Sequence, residues 1–255
     1  MIRAIRERWR QGYRTMPYPE QPPVLPDRVL GRPHLDPSRC PADCHACGEV
    51  CPTAAVTRNG GLALDLGRCL FCAACSRACP TGAIVWSGDC RMATRTRKAT
   101  VVRGREIELA EALDTRLRRL LGRSFKIRQV SAGGCNACEA DVNVLSTIGW
   151  DLGRFGIQLV ASPRHADALL VTGPVPRNMQ LALQKTYDAT PAPKLVIAVG
   201  ACAIAGGPFA GHEEITGGAA ATLPVDLFIP GCPPHPATIL DGLLRLLDRL
   251  PAATR

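Results

Sequence analysis

Cys69–Ile84 reads CLFCAACSRACPTGAI, and its spacing, Cys69-x2-Cys72-x2-Cys75-x3-Cys79-Pro80, decides the first half of the fold. Three thiolates, each two residues from the next, can grip three irons of one cubane. The fourth cysteine of such a run reaches across to a second cluster. The small residues Ala73, Ala74 and Ala78 let backbone N–H groups approach the sulfides. A zinc site is the minor alternative.

Upstream, Cys40–Val56 reads CPADCHACGEVCPTAAV and repeats the device, each half closing on Cys-Pro-Thr and a small apolar run. Cys51, Cys47 and Cys44 fall in place, but the next cysteine is Cys40, where the spacing asks for position 41. A loop absorbs one extra residue, so Cys40 stays in the ligand set. The crossover rule then assigns Cys40, Cys44, Cys47 and Cys79 to one cluster and Cys69, Cys72, Cys75 and Cys51 to the other. His45 stands between two ligands; imidazole is rare in such cubanes, so it is read as a surface residue or a neighbour of the cluster.

The chain has 255 residues, 46% hydrophobic and 21% charged, which suits a globular protein and excludes a disordered one. The longest apolar stretch, Leu195–Ala210, is broken by Gly200, Gly206, Gly207 and Pro208, so no bilayer span is expected. The leading MIRAIRERWRQGYR is basic and lacks the apolar core of a secretory signal. Aromatic residues make up only 4%, which argues against nucleic-acid stacking despite a net charge of +9. Nine of the thirteen cysteines lie between Cys40 and Cys90, a pattern of metal ligation rather than disulfide closure. Thiols kept reduced place the chain in the cytoplasm. Each oxidised [4Fe–4S] cluster with its thiolates carries about −2, so three would offset about six of the nine positive charges.

The chain divides into four segments. Residues 1–36 form an arm with a short basic helix and then YPEQPPVLPDRVLGRPHLDP, whose five prolines from Pro19 to Pro33 exclude a helix or central strand. Such an arm lies extended on a neighbour or hangs free. Residues 37–104 hold the two half-repeats. Ile107, Ala110, Leu113, Leu117 and Leu120 recur at helical spacing and predict a connecting helix over 105–123. From 124 to 255, strands Phe125–Val130, Ile157–Ala161, Ala168–Thr172, Leu195–Val199 and Asp226–Ile229 alternate with helices Glu139–Ile148, Arg177–Asp188 and Pro236–Leu250. That alternation predicts a parallel, doubly wound sheet. Neither G-x-G-x-x-G nor a Walker A loop is present, so no nucleotide is expected on this chain.

The remaining cysteines are placed by those strands. Cys135 and Cys138 follow the first, Cys202 the fourth and Cys232 the fifth, all past carboxyl ends that meet in one crevice. Four thiolates there would hold a third [4Fe–4S] cluster, with Gly133, Gly134, Gly200 and Gly231 allowing close approach. Cys90 is left over and is read as a half-buried thiol. Ser, His and Asp residues show no triad-like context, so no catalytic residue is expected in this chain.

The motifs GGCNACEADVN, FGIQLVASPRHADALLVTGPV, VGACAIAGGPF and IPGCPPHPATIL cover nearly all of residues 125–250. In that order they resemble the small cluster-bearing subunit shared by complex I and energy-converting, membrane-bound [NiFe]-hydrogenases. The cysteine-rich unit and its lead-in resemble the two-cluster ferredoxin-like subunit of formate hydrogenlyase-type enzymes, here fused to it. The resemblance implies a flavodoxin-like α/β domain preceded by a dicluster ferredoxin-like α+β domain. Cys135-x2-Cys138 is similar to the hydrogenase branch rather than the adjacent-cysteine complex I branch, although Ala137 and Glu139 depart from its usual Gly and Asp.

In function, the resemblance implies an electron-transfer subunit of a complex I-like [NiFe]-hydrogenase. Its partners would be a catalytic large subunit, an electron-donor subunit or ferredoxin and, indirectly, membrane subunits on the inner face of the cell membrane. The rivals are the equivalent subunit of a quinone-reducing complex and a soluble cluster carrier. Ser162–Asp167 is expected beside the third cluster and the large subunit, with Arg164 as a fixed charge and His165 as a proton acceptor. The plain alternative makes Arg164 a surface ion pair and Asp167 a turn cap.

Overall fold

The computed structural model describes residues 2–58 and 60–251. Helix α1 (Ile2–Gln11) comes first, and the proline-rich arm then runs without regular structure to strand β1 (Pro33–Leu35). The first half-repeat contributes α2 (Ala46–Glu49), β2 (Val56–Thr57) and β3 (Ala63–Asp65). The second contributes α3 (Ala74–Ala78), β4 (Ile84–Trp86) and β5 (Val101–Val102). β1 pairs antiparallel with β4, and β2, β3 and β5 form a second antiparallel sheet. The repeat is visible in the hydrogen bonds: Ala55 N–H donates to Cys51 Sγ and Ala83 N–H to Cys79 Sγ, both at 3.2 Å.

The helix expected over 105–123 forms only in its second part, as α4 (Thr115–Leu121). Ahead of it, Ala110 and Leu113 are buried, and their N–H groups donate to the carbonyls of Ala93 and Leu246 at 2.7 and 2.9 Å. Backbone groups committed to distant partners cannot also close helical turns, so tertiary pairing overrides the apolar spacing. The Asp114 carboxylate then starts the helix by accepting the Leu117 N–H at 3.0 Å.

The second half of the chain runs β6 (Phe125–Ser131), α5 (Ala137–Val144), β7 (Ile157–Leu159), β8 (Ala168–Thr172), α6 (Arg177–Ala189), β9 (Leu195–Val199), α7 (Gly200–Ala205), β10 (Leu227–Ile229) and α8 (Pro236–Leu246). The five strands are all parallel in the order β10-β9-β8-β6-β7, which is the flavodoxin-like order with its switch point between β6 and β8. β8 and β9 are buried at every position because helices cover both faces. Ala168, Leu170, Ile197 and Val199 face the core that includes α8, whereas Leu169, Val171, Val196 and Ala198 face Leu183, Ala203 and Ile204.

Among the described residues, close contacts bind the halves together. Thr94 exchanges both backbone hydrogen bonds with Phe228 at 2.9 Å each, which covers the outer side of β10. Gly67, in the cysteine-rich unit, lies so close to α7 that a Cβ there would stand 2.6 Å from Ile204 Cγ2.

The arm lies on its own chain. Met16 N–H donates to the Gly149 carbonyl at 2.8 Å, and Arg154 Nη2 donates to the Tyr18 carbonyl at 2.7 Å. The Tyr18 ring is buried, and its hydroxyl donates to Asp241 Oδ1 at 2.9 Å while Arg245 Nε donates to Oδ2 at 2.7 Å. A buried carboxylate stripped of one donor loses about 1–3 kcal/mol. Tyr18→Phe is therefore expected to lower stability by that amount in thermal unfolding, while Val24→Ala on the exposed part of the same arm leaves it unchanged.

Candidate metal centre

The ligand loops pass through the left-handed region that L side chains rarely adopt. Phe71 and Ala73 have φ of 53° and 56°, and Asn136 between Cys135 and Cys138 has φ of 71°. Such left-handed residues turn successive N–H groups inward, a concavity suited to anions. Phe71 N–H donates to Cys69 Sγ at 3.3 Å.

Cys40, Cys44, Cys47 and Cys79 line one pocket, walled by Leu62, Ala83 and Ile84. Burial is the main force pushing the Cys47 thiol up, and repulsion from Cys40, Cys79 and Cys44 adds to it. A second group forms around the buried Cys69 and Cys75. Burial pushes Cys69 up to about 12, helped by Cys75, Cys51 and Cys72. It pushes Cys75 up to about 11, helped by Cys51, Cys72 and Cys47. Repulsion between Cys75 and Cys47 makes the two groups neighbours. Burial also opposes ionisation of Cys51 and Cys79, but backbone N–H groups and Thr53 or Thr81 outweigh it and hold both thiols below their ordinary value.

The four cysteines of the α/β domain gather at the carboxyl edge of the sheet. Burial pushes Cys138 up, with Cys202, Glu139, Cys232 and Cys135 all repelling it. Burial also drives Cys202 up to about 11 and raises Cys232, and Cys135 repels both. Glycine makes the room: a Cβ on Gly200 would stand 2.6 Å from Cys138 Sγ, and one on Gly207 2.6 Å from Cys202 Sγ. Both glycines have positive φ, 90° and 58°. Crowded thiols that resist ionising in isolation fit a cationic iron core, which offsets their mutual repulsion. All-sulfur donor sets are the chemistry of iron–sulfur cubanes.

One more pocket joins the second group to the third. Phe71, from the loop between Cys69 and Cys72, shares its wall with Cys232, His235 and Asp141. Cys90 lines the same pocket; it is buried, and its thiol is pushed up to about 12 by burial and by Asp241 and Asp89. His45 is exposed.

Arg164 and His165 are not with the cysteines. Strand β7 pairs only with Phe125–Ile127, and Leu159 and Ala168 both stand opposite Ile127. The intervening segment therefore leaves and rejoins the sheet four residues short of Ser131, about 13 Å from the carboxyl edge. Asp167 ties it there: its N–H donates to the Lys126 carbonyl and its carboxylate accepts the Lys126 N–H, both at 2.7 Å. Both Arg164 and His165 are exposed. The expected strand ran Ile157–Ala161, and this edge strand ends two residues earlier, at Leu159.

Two further residues stand at the sites: Arg58, which no motif marked, and Glu139, noted in the sequence as a departure from the usual Asp. Arg58 donates through Nη1 to Cys40 Sγ, and through Nη2 to the carbonyls of Pro41 and Ala42 at 2.9 and 3.1 Å. The one-residue insertion after Cys40 is thus held by a guanidinium eighteen positions away. Glu139 is buried, and its Oε1 accepts the hydroxyls of Ser131 at 2.7 Å and Thr172 at 2.6 Å. Burial opposes its charge, but these hydrogen bonds outweigh burial and hold its carboxyl below the usual range. It pins the Cys135–Cys138 loop to the ends of β6 and β8.

Comparison with known proteins places two family descriptions on this frame. Residues 135–246 match the model described as NADH ubiquinone oxidoreductase, 20 Kd subunit. Residues 62–85 match the 4Fe-4S binding domain. A probable membrane-bound hydrogenase subunit of Pyrococcus furiosus is 42% identical over 132 residues, covering 52% of this chain and 79% of that protein. Formate hydrogenlyase subunit 7 of Escherichia coli is 40% identical over 143 residues, 56% of each chain. An NADH-quinone oxidoreductase subunit of Clostridium beijerinckii is 41% identical over 118 residues, 46% of this chain and 70% of that one. The first match contains Cys135, Cys138, Cys202 and Cys232, and the second contains Cys69, Cys72, Cys75 and Cys79.

Gly200 tests the packing of the third group. Gly200→Ala drives a Cβ into the Cys138 sulfur and is expected to cost about 1–3 kcal/mol through overpacking. Gly88→Ala, whose Cβ meets nothing within 4 Å, leaves the thermal midpoint near that of the wild type.

Proposed function

The chain belongs to the 20 kDa subunit family of NADH–ubiquinone oxidoreductase and binds 4Fe–4S clusters, and from that membership we propose that it is the electron-transfer subunit of a complex I-like, membrane-associated [NiFe]-hydrogenase. Three [4Fe–4S] clusters are assigned. Cys40, Cys44, Cys47 and Cys79 would hold one, Cys51, Cys69, Cys72 and Cys75 the next, and Cys135, Cys138, Cys202 and Cys232 the third. The observation that carries the reading is the succession of three thiol groups, with Cys47 repelling Cys75 and Phe71 sharing a pocket with Cys232.

Bound clusters supply one-electron transfer, and the residues of this chain do the rest. Apolar walls pack against the buried Cys47, Cys69 and Cys75. Inward N–H groups of Phe71, Ala55 and Ala83 and the guanidinium of Arg58 stabilise negative charge on them. Electrons from a donor subunit or ferredoxin would enter through residues 37–104 and leave at the carboxyl edge of the sheet. A catalytic large subunit would sit against that edge, where Cys135 and Cys232 are exposed. The Cys135-x2-Cys138 spacing favours nickel in that partner over quinone reduction.

Anaerobically purified protein should carry about twelve iron per chain. Cys232→Ser should remove about four of them and abolish hydrogen-linked turnover of the complex, leaving the EPR signals of the 37–104 unit. Eight iron in the wild type would strike out the third assignment, and a nickel-free complex that reduces quinone would strike out the hydrogenase. Arg58→Met should lower one low-potential midpoint by tens of millivolts, since about 1 kcal/mol of lost charge-assisted hydrogen bonding is about 40 mV for one electron.

A further inference from the structure

Helix α1 presents a face that nothing in the cysteine-rich unit or the sheet uses. Over Ile2–Gln11, IRAIRERWRQ, no residue is buried. Ile2, Ile5 and Trp9 recur at helical spacing on one narrow strip, and Trp9 is 88% exposed. Arg6, Arg10 and Arg3 flank the strip on one side and Arg8 on the other, with Glu7 the lone acidic residue of the helix. Long arginine stems can lie along an apolar surface while their guanidinium groups reach outward to charge.

The helix has a short tether. Met16 is anchored to Gly149 by its N–H, so only residues 12–15 separate α1 from the body of the protein. Four residues reach at most about 14 Å. Ile148, beside the anchor, is itself 73% exposed. Trp150 follows, and its ring meets that of His235 at 5.8 Å; His235 lines the pocket that contains Cys232. The free helix therefore hangs on the side of the third thiol group.

We propose that α1 is an interfacial anchor that lays this chain directly on an anionic lipid surface, with Ile2, Ile5 and Trp9 in the headgroup boundary and the arginines paired with lipid phosphates. A strip of aliphatic and indole side chains bordered by arginine is the pattern that binds anionic headgroups. Indole prefers that boundary. A groove on a protein partner would ask for a wider apolar stripe than these three side chains make. The anchor brings the third thiol group towards the membrane side of the complex. It rests on α1 alone and not on the electron-transfer reading.

Flotation of the full cluster-loaded chain with vesicles tests it. Binding is expected to vesicles of phosphatidylglycerol and phosphatidylcholine at low salt, weakening as salt rises, with far less binding to phosphatidylcholine alone. The double variant Ile5→Glu, Trp9→Glu should weaken binding at least tenfold with an unchanged cluster absorbance. Lys185→Glu, which changes the charge by the same amount on an exposed face of α6, should bind like the wild type. Wild-type protein that ignores anionic vesicles, or a double variant that still floats with them, overturns the proposal. So does a double variant that drops out of the detergent-solubilised complex while the wild-type helix shows no affinity for lipid, because the occupant is then a protein.

Discussion

Gathering thiols beside one another is the constraint around which this structure is arranged. Burial among other thiols makes Cys69, Cys75, Cys138 and Cys202 resist giving up a proton, whereas N–H and hydroxyl donors hold Cys51 and Cys79 below their ordinary value. A cationic centre shared among the raised thiols offsets that preference. The protein therefore spends its local conformational freedom on holding sulfurs together: left-handed Phe71, Ala73 and Asn136, and glycines where a Cβ would strike a sulfur. Those positions are strained for the local chain and make sense only as a cage.

A cage held on loops needs a rigid support, and the two halves provide different ones. In the cysteine-rich unit the strands are two or three residues long, so the support is largely the repeat itself, with matched N–H donation to Cys51 and Cys79. In the α/β domain the fully buried β8 and β9 carry the load, and Glu139 links the ligand loop to the ends of two strands. The Thr94–Phe228 exchange and the tight passage of Gly67 past α7 fix one support against the other. A relay needs that fixity, because electron transfer falls steeply with separation.

The arm and the linker show how far long-range pairing reshapes local tendency. Five prolines suggested a segment that lies on a neighbour, and the neighbour is the same chain, through Tyr18 on Asp241. The apolar spacing from Ile107 suggested a helix, yet Ala110 and Leu113 give their N–H groups to Ala93 and Leu246. In both places a periodic or compositional signal was present, and the partner that decided its use lay more than a hundred residues away or across the domain boundary.

By itself the sequence determined the two half-repeats, the parallel sheet with helices on both faces, and the gathering of the last four cysteines at one edge. These follow from spacing and periodicity, which are local and survive in a linear string. Tertiary structure alone decided that β7 stops at Leu159, which removes Arg164 and His165 from the site. It also decided that Arg58 reaches the Cys40 loop and that Phe71 and Cys232 share a wall. Strand length at a sheet edge and contacts between distant segments depend on packing rather than on the order of neighbouring residues. No motif encodes them, because the free energy that selects them is gained only when the whole chain has closed.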